Sequence, residues 1–262
     1  MSSPFDAASD DPKCNGTTPA LEPSSVYGLR PRASNEDSSR RSFFKMAIGG
    51  AVAGLVTTTG LDFAAPRRVL AQTPLSPDAA LRELMDGNRR FVTERLTSCE
   101  HDLAILKQHT IDKQEPFAAV LSCADSRVPV ELVFDQTIGH IFVTRVAGNV
   151  ATSEIIASLE YGAVALGAKV IVVLGHSSCG AVKATIQAKE VPGQISALFS
   201  HIQPAVDQAG PNLEAATKAN AKRQATLLRQ ASTVISGLVK EKKLKVVAGY
   251  YDLGTGVVSL LE

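Results

Sequence analysis

The run Lys169-Val170-Ile171-Val172-Val173-Leu174, leading into Gly175-His176-Ser177-Ser178-Cys179-Gly180, constrains this chain more than any other feature. β-Branched residues suit a pleated surface better than a helix, and a strand apolar at successive positions must be buried on both faces. Two more runs have this character, residues 117–122 after Pro116 and residues 140–146. Helical stretches follow at about 152–166, 181–189, 195–208 and 212–240. Residues 245–251 and 257–261 flank Leu253-Gly254-Thr255-Gly256 and read as a terminal hairpin. Ahead of the first strand, Ser76-Pro77-Asp78 is a helix N-cap followed by proline at the first helical position, opening a helix to about Leu96. A second short helix is expected over about 102–109. Strands alternating with helices predict an α/β fold, a mainly parallel central sheet flanked by helices with a C-terminal hairpin, as one domain over residues 72–262.

Residues 1–71 read differently. The first 38 are rich in Ser, Pro, Asp and Asn and cannot bury enough apolar surface to fold. Ser39-Arg40-Arg41-Ser42-Phe43-Phe44-Lys45 then precedes a charge-free stretch, residues 46–61, which is too short and too mildly apolar for an ordinary spanning helix. Paired arginines in this setting look like a twin-arginine export signal, cut after Val69-Leu70-Ala71. The expected location is the periplasm, or the membrane surface if the signal stays attached, with the export machinery a transient partner. The chain carries 27 basic and 26 acidic residues, and 19 of each from Gln72 onward. That balance gives no basic footprint for nucleic acid. Four cysteines in 262 residues are too few for a disulfide scaffold.

Chemistry concentrates at the ends of two predicted strands, where open α/β sheets build their sites. In Ser122-Cys123-Ala124-Asp125-Ser126-Arg127, alternation on an extended chain would aim Cys123, Asp125 and Arg127 to one side. In the second segment one helical turn would bring His176 and Cys179 together. Each element alone has a plainer reading: a buried cysteine is usually a small hydrophobe, the histidine could be a cap, and Asp125 with Arg127 could be a structural ion pair. Jointly they form a Cys, His, Cys donor set that suits zinc and leaves one tetrahedral position open, the mark of a catalytic site. Arg127 would grip Asp125 in a two-pronged pair and draw it away from the metal, so that the pair acts as a gate. Cys99 and His101 are conceivable further ligands in a polar stretch, with Cys99 expected to be a bystander. Cys14 falls in the segment expected to be lost.

At these residues the sequence resembles the β-class carbonic anhydrases, through Cys123-Ala124-Asp125-Ser126-Arg127 and His176-Ser177-Ser178-Cys179. Residues 134–136, Arg145-Val146-Ala147-Gly148-Asn149, Glu160-Tyr161-Gly162 and the tail Tyr251 to Gly256 are also similar to the family. The resemblance spans about 77–261. It implies one zinc per subunit on Cys123, His176 and Cys179, with Asp125 and Arg127 as the catalytic dyad. It further implies reversible hydration of carbon dioxide to bicarbonate by zinc-bound hydroxide. Gln114, Phe142, Ala147 and Tyr161 match the substrate pocket of members whose zinc position is open, and Asp125 would become a ligand only in a closed state. The pocket is completed between subunits in the family, which implies a homodimer or a dimer of dimers. His140 stands where relatives carry an acidic residue, either as a surface substitution or as a proton relay. No residue identifies itself as a proton shuttle.

Three rivals differ in class. A cysteine hydrolase using Cys179 and His176 would leave Cys123 and Arg127 unexplained, and residues 175–180 are not a G-x-S-x-G elbow. A catalytically inactive zinc- or bicarbonate-binding relative should have lost a ligand, the Asp–Arg pair or Gln114, and all are present. A dinucleotide-binding oxidoreductase would need G-x-G-x-x-G after a strand, which is absent.

Overall fold

The computed structural model describes residues 73–98, 113–188 and 190–262. The export segment around Arg40 and Arg41, Cys14, Cys99, His101 and the helix expected over 102–109 lie outside the described residues. The first helix, α1 (Pro77–Val92), begins as its sequence dictates, with the Ser76 side chain accepting from Ala79 N–H and Pro77 opening the first turn. It stops at Val92 rather than near Leu96. The chain turns through Glu94 at φ 57, and the buried Asp135 carboxylate captures the N–H groups of Thr97 and Ser98, so a tertiary acceptor replaces the helical ones.

The remaining elements follow in order: β1 (Ala118–Ser122), the short α2 (Val130–Val133), β2 (Ile141–Arg145), a 3₁₀ turn (Ala147–Asn149), α3 (Ser153–Val164) and β3 (Val170–His176). Then come α4 (Gly180–Gln187), a second 3₁₀ turn (Gly193–Leu198), α5 (Phe199–Ala209), α6 (Leu213–Ala231), α7 (Thr233–Lys240), β4 (Lys245–Tyr251) and β5 (Val258–Leu261). The single helix expected over 212–240 is thus two. Ser232 leaves helical geometry (φ −102, ψ 115) and caps α7 by accepting from Ile235 N–H, while its hydroxyl donates to Glu160 on α3 at 2.6 Å.

The strands form one sheet in the order β2-β1-β3-β4-β5. β2, β1, β3 and β4 are parallel and β5 returns antiparallel on β4, which is the mainly parallel sheet with a terminal hairpin that the apolar runs predict. Pleating explains why β1 and β3 carry no polar face. Ala118, Val120, Val170, Val172 and Leu174 pack on α1 and Phe134, whereas Ala119, Leu121, Ile171 and Val173 face α3, α6 and α7. Burying a large aliphatic side chain contributes about 1.5–3 kcal/mol, so these two faces dominate the fold's stability. A third cluster, with Cys123, Val150, Cys179, Val182, Ile202 and Ala216, lies at the C-terminal ends of β1 and β3. Asn88 of α1, itself buried, donates to the carbonyls of Val133 and Gly256 and accepts from Val258 N–H, tying helix, sheet edge and hairpin. No helix among the described residues is long and apolar enough to cross a membrane.

Candidate metal centre

The ends of β1 and β3, adjacent in the sheet, deliver the two motifs to one point. Cys123 leaves β1, His176 closes β3, and Cys179 stands at the N-cap of α4. Their donor atoms lie within 4.8 Å of one another and all three residues are buried. The local backbone differs from both sequence expectations. Residues 125–128 form a turn rather than extended chain, since Arg127 N–H donates to Asp125 Oδ1 and Val128 N–H to Asp125 O. His176 and Cys179 meet through a tight turn with Ser178 at φ 56, not through a helical turn. The tail holds that turn: Ser177 N–H donates to Tyr251 O, and the Ser177 hydroxyl accepts from Leu253 N–H.

The donor set fits a zinc ion by a test internal to the structure. His176 Nδ1 faces the carbonyl of Ser177 at 2.9 Å, so its proton belongs there and Nε2 carries the lone pair. Nε2 is fully buried with no hydrogen-bond partner, a costly state for a polar atom unless something binds it. The three donors are near enough to one another to converge on one ion, and two sulfurs with one imidazole nitrogen are a set that zinc takes. Cys123 is the first thiol to ionise: the Cys179 thiol beside it donates to it and, with the N–H groups of Gly148 and Asp125 and against the pull of burial, holds it well below the ordinary thiol range. Cys179 is pushed upward, because it holds the proton shared with Cys123 and is itself buried.

Asp125 Oδ2 stands 3.9 Å from His176 Nε2. Arg127 grips this carboxylate through Nε at 2.9 Å and Nη2 at 2.8 Å. That guanidinium, opposed by burial and helped by the Arg127 N–H, holds the Asp125 carboxyl well below the usual carboxylate range. Two residues that sequence reasoning noted only for their likeness to the family, without a role, complete the frame. Arg145, at the end of β2, donates through Nε to Cys123 O at 2.8 Å and also to Asp125 O. Gly148 N–H donates to Cys123 Sγ at 3.3 Å. Both belong to the Arg145 to Asn149 stretch; the strand that leads into it, β2, is an edge strand with only Ile141 and Thr144 buried, not the strand buried on both faces that its apolar run predicts.

The expected pocket residues are less gathered. Phe142 and Tyr161 touch, ring centroids 6.2 Å apart and tilted by 52°. Ala147 opens the 3₁₀ turn beside Gly148. Tyr161 is 54% exposed and Gln114 lies exposed ahead of β1. His140 is exposed, its Nδ1 3.1 Å from the Thr137 hydroxyl.

The family model described as carbonic anhydrase matches residues 118–258, a span holding Cys123, Asp125, Arg127, His176 and Cys179. The chain belongs to the β-class carbonic anhydrases. It is 34% identical over 196 residues to a carbonic anhydrase of Mycolicibacterium smegmatis, a match covering 71% of this chain and 93% of that one. Among solved structures, a β-carbonic anhydrase of Aspergillus fumigatus superposes with TM-score 0.58 at 23% identity, over 71% of this chain and 90% of that one. Tetrameric β-carbonic anhydrases of Sordaria macrospora give TM-score 0.54 at 20% identity, over 69% and 96%. A carbonic anhydrase with a buried Cys, His, Cys group is a zinc enzyme in kind.

Proposed function

We propose that this carbonic anhydrase hydrates carbon dioxide reversibly to bicarbonate and a proton, with one zinc per chain on Cys123 Sγ, His176 Nε2 and Cys179 Sγ, and with Asp125 and Arg127 as its dyad. The observation that carries the proposal is the partnerless Nε2 of His176, fully buried among two cysteine sulfurs with an ionised carboxylate 3.9 Å away. Zinc held there supplies Lewis-acid chemistry, making hydroxide available near neutral pH.

The chain's own groups do the rest. Asp125, kept ionised and acceptor-only by Arg127, accepts the hydrogen of the attacking nucleophile at Oδ2 and orients its lone pair toward the carbon. Arg127 holds Asp125 back from ligating the metal, so the open form is the working one and Asp125 ligation belongs to a closed state. Phe142, Ala147 and Tyr161 wall the substrate pocket and Gln114 donates to a carbon dioxide or bicarbonate oxygen. The exposure of Gln114 and Tyr161 in a single chain supports a second copy covering them, in a homodimer or a dimer of dimers. The Arg40-Arg41 segment directs export by the twin-arginine route, which carries folded proteins, so the thiolate site can be loaded in a reducing compartment before reaching the periplasm.

The test is stopped-flow hydration of carbon dioxide on protein from Gln72 onward with its zinc content measured. Rapid hydration at about one zinc per chain, reduced by about 100-fold or more in Asp125→Ala, is expected. Full zinc without hydration at any pH would sink the catalytic reading and favour a zinc-binding relative without activity. Replacing Arg40 and Arg41 by lysine should leave the protein in the cytoplasm; unchanged export would remove the twin-arginine proposal.

A further inference from the structure

Beneath the metal centre, the inner face of α6 carries two amide side chains where an apolar stripe would be expected. Asn220 and Gln224 are 0% and 1% exposed, one helical turn apart. Asn220 Nδ2 donates to the carbonyl of Gly148 at 2.8 Å. Gln224 Oε1 accepts from Ala151 N–H at 3.0 Å, while its Nε2 donates to Asn220 Oδ1 at 3.1 Å and to His201 O at 3.2 Å. Every polar atom of this pair except one Asn220 hydrogen therefore serves the segment from Gly148 to Ala151, the partner amide or the preceding helix α5.

The residue they grip is the one whose N–H reaches Cys123 Sγ. Gly148 sits at φ 75, in the left-handed region that favours glycine, and a Cβ there would also push aside the tip of Ile202, whose Cδ1 would lie at 2.6 Å. A glycine in a three-residue turn has no side chain to fix its peptide plane. Its carbonyl, held by Asn220, is the handle that fixes the direction of the neighbouring amides. The same helix lies over the metal strand as well: a Cβ placed on Gly175, next to His176, would meet Thr217 and Ala221 within 3.4 Å.

We infer that Asn220 and Gln224 are positioning residues for the metal centre: they lock the 147–151 segment so that Gly148 N–H stays on the Cys123 sulfur. This inference rests on the zinc reading above. An N–H donor withdraws charge from a thiolate, which in a site with two sulfur ligands decides how much electron density the metal receives. It also holds the sulfur in its ligating orientation. Simple burial does not account for the pair, since two amides in an apolar layer are unfavourable unless each bond is made.

The experiment compares wild type, Asn220→Ala and Gln224→Ala with Leu228→Ala, a buried α6 residue one turn further on that packs on the sheet and takes no part in the amide relay. Two readouts are taken on folded protein: the rate at which zinc is lost to a chelator, and the sulfur-to-metal charge-transfer band after cobalt substitution. Expected are zinc loss about 10–100-fold faster in the two amide variants and a band displaced to longer wavelength, with both unchanged in Leu228→Ala despite its lower stability. Amide variants that match wild type in both readouts, or that move only as far as Leu228→Ala, overturn the inference. For a case in which the variants fail to fold, wild-type protein loaded with cadmium-113 gives a separate answer: scalar coupling between the metal and the Gly148 amide proton is expected, and its absence overturns the inference. A wild-type cobalt spectrum with no sulfur band overturns the zinc reading itself, which distinguishes that failure from this one.

Discussion

Asp135 is the residue whose environment most changes its chemistry away from the metal. It is buried at φ 45, accepts from Thr97 and Ser98 N–H and the Thr97 hydroxyl, and pairs with Arg90 Nε. Burial works to raise its pKa, but Arg90, Ser98 and Thr97 outweigh it and hold the carboxyl down to about 2. A depressed carboxyl stabilises the fold fully above its unfolded value of about 3.9, and that contribution fades as the pH falls toward about 2. Asp135→Asn is expected to lose about 2 kcal/mol or more at neutral pH in urea unfolding. Its stability should also fall less than that of wild type between those two pH values. A variant as stable as wild type, with the same acid profile, would show that the clasp contributes nothing. At the same scale, Cys123 and Cys179 are buried free thiols, and with a metal in place both should resist alkylation until a chelator is added. Thiol labelling before and after chelation, read by mass spectrometry, checks this.

At the scale of elements, the junction between α6 and α7 shows how one hydroxyl divides a long helical sequence. Ser232 is 2% exposed, caps α7 and reaches Glu160 on α3. Ser232→Ala removes the cap and leaves Glu160 without that donor, so a loss of about 1–2 kcal/mol is expected in thermal or urea unfolding. A change below a few tenths would mean that water replaces the hydroxyl. The 3₁₀ turn at Ala147–Asn149 makes a sharper demand. Gly148→Ala must accept a left-handed backbone and displace Ile202, and a cost of about 1–3 kcal/mol is expected. Circular dichroism melts of zinc-loaded and chelated protein would separate this cost from any loss of metal, since only the loaded form gains from zinc binding.

For the whole molecule, ligand linkage and assembly set the behaviour. A metal that binds only the folded chain stabilises it in proportion to the logarithm of its free concentration. Chelation should therefore lower Tm and added zinc restore it; an unmoved Tm would argue that the three donors hold no ion in solution. A proposed dimer should appear in analytical ultracentrifugation as two chains or more at micromolar concentration, and a strict monomer would leave the exposed Gln114 and Tyr161 without a cover. The sequence by itself determined the strands and the donor set. Apolar runs of residues 117–122 and 169–174 admit only burial on both faces, and Cys123, Asp125, Arg127, His176 and Cys179 stand at their ends, so fold class and candidate ligands were legible from local pattern. It misread the geometry joining them, because a turn at residues 125–128 and another at Ser178 depend on backbone acceptors that periodicity does not reveal. Helix ends at Val92 and Ala231 were likewise decided by Asp135 and Ser232, whose partners lie 37 and 72 residues away. The roles of Arg145 and Gly148, and Asn220 and Gln224 altogether, came into view only in the tertiary structure. Their effect on Cys123 passes through space from β2, a loop and α6, and no linear spacing encodes which carbonyl or sulfur a buried polar group will meet.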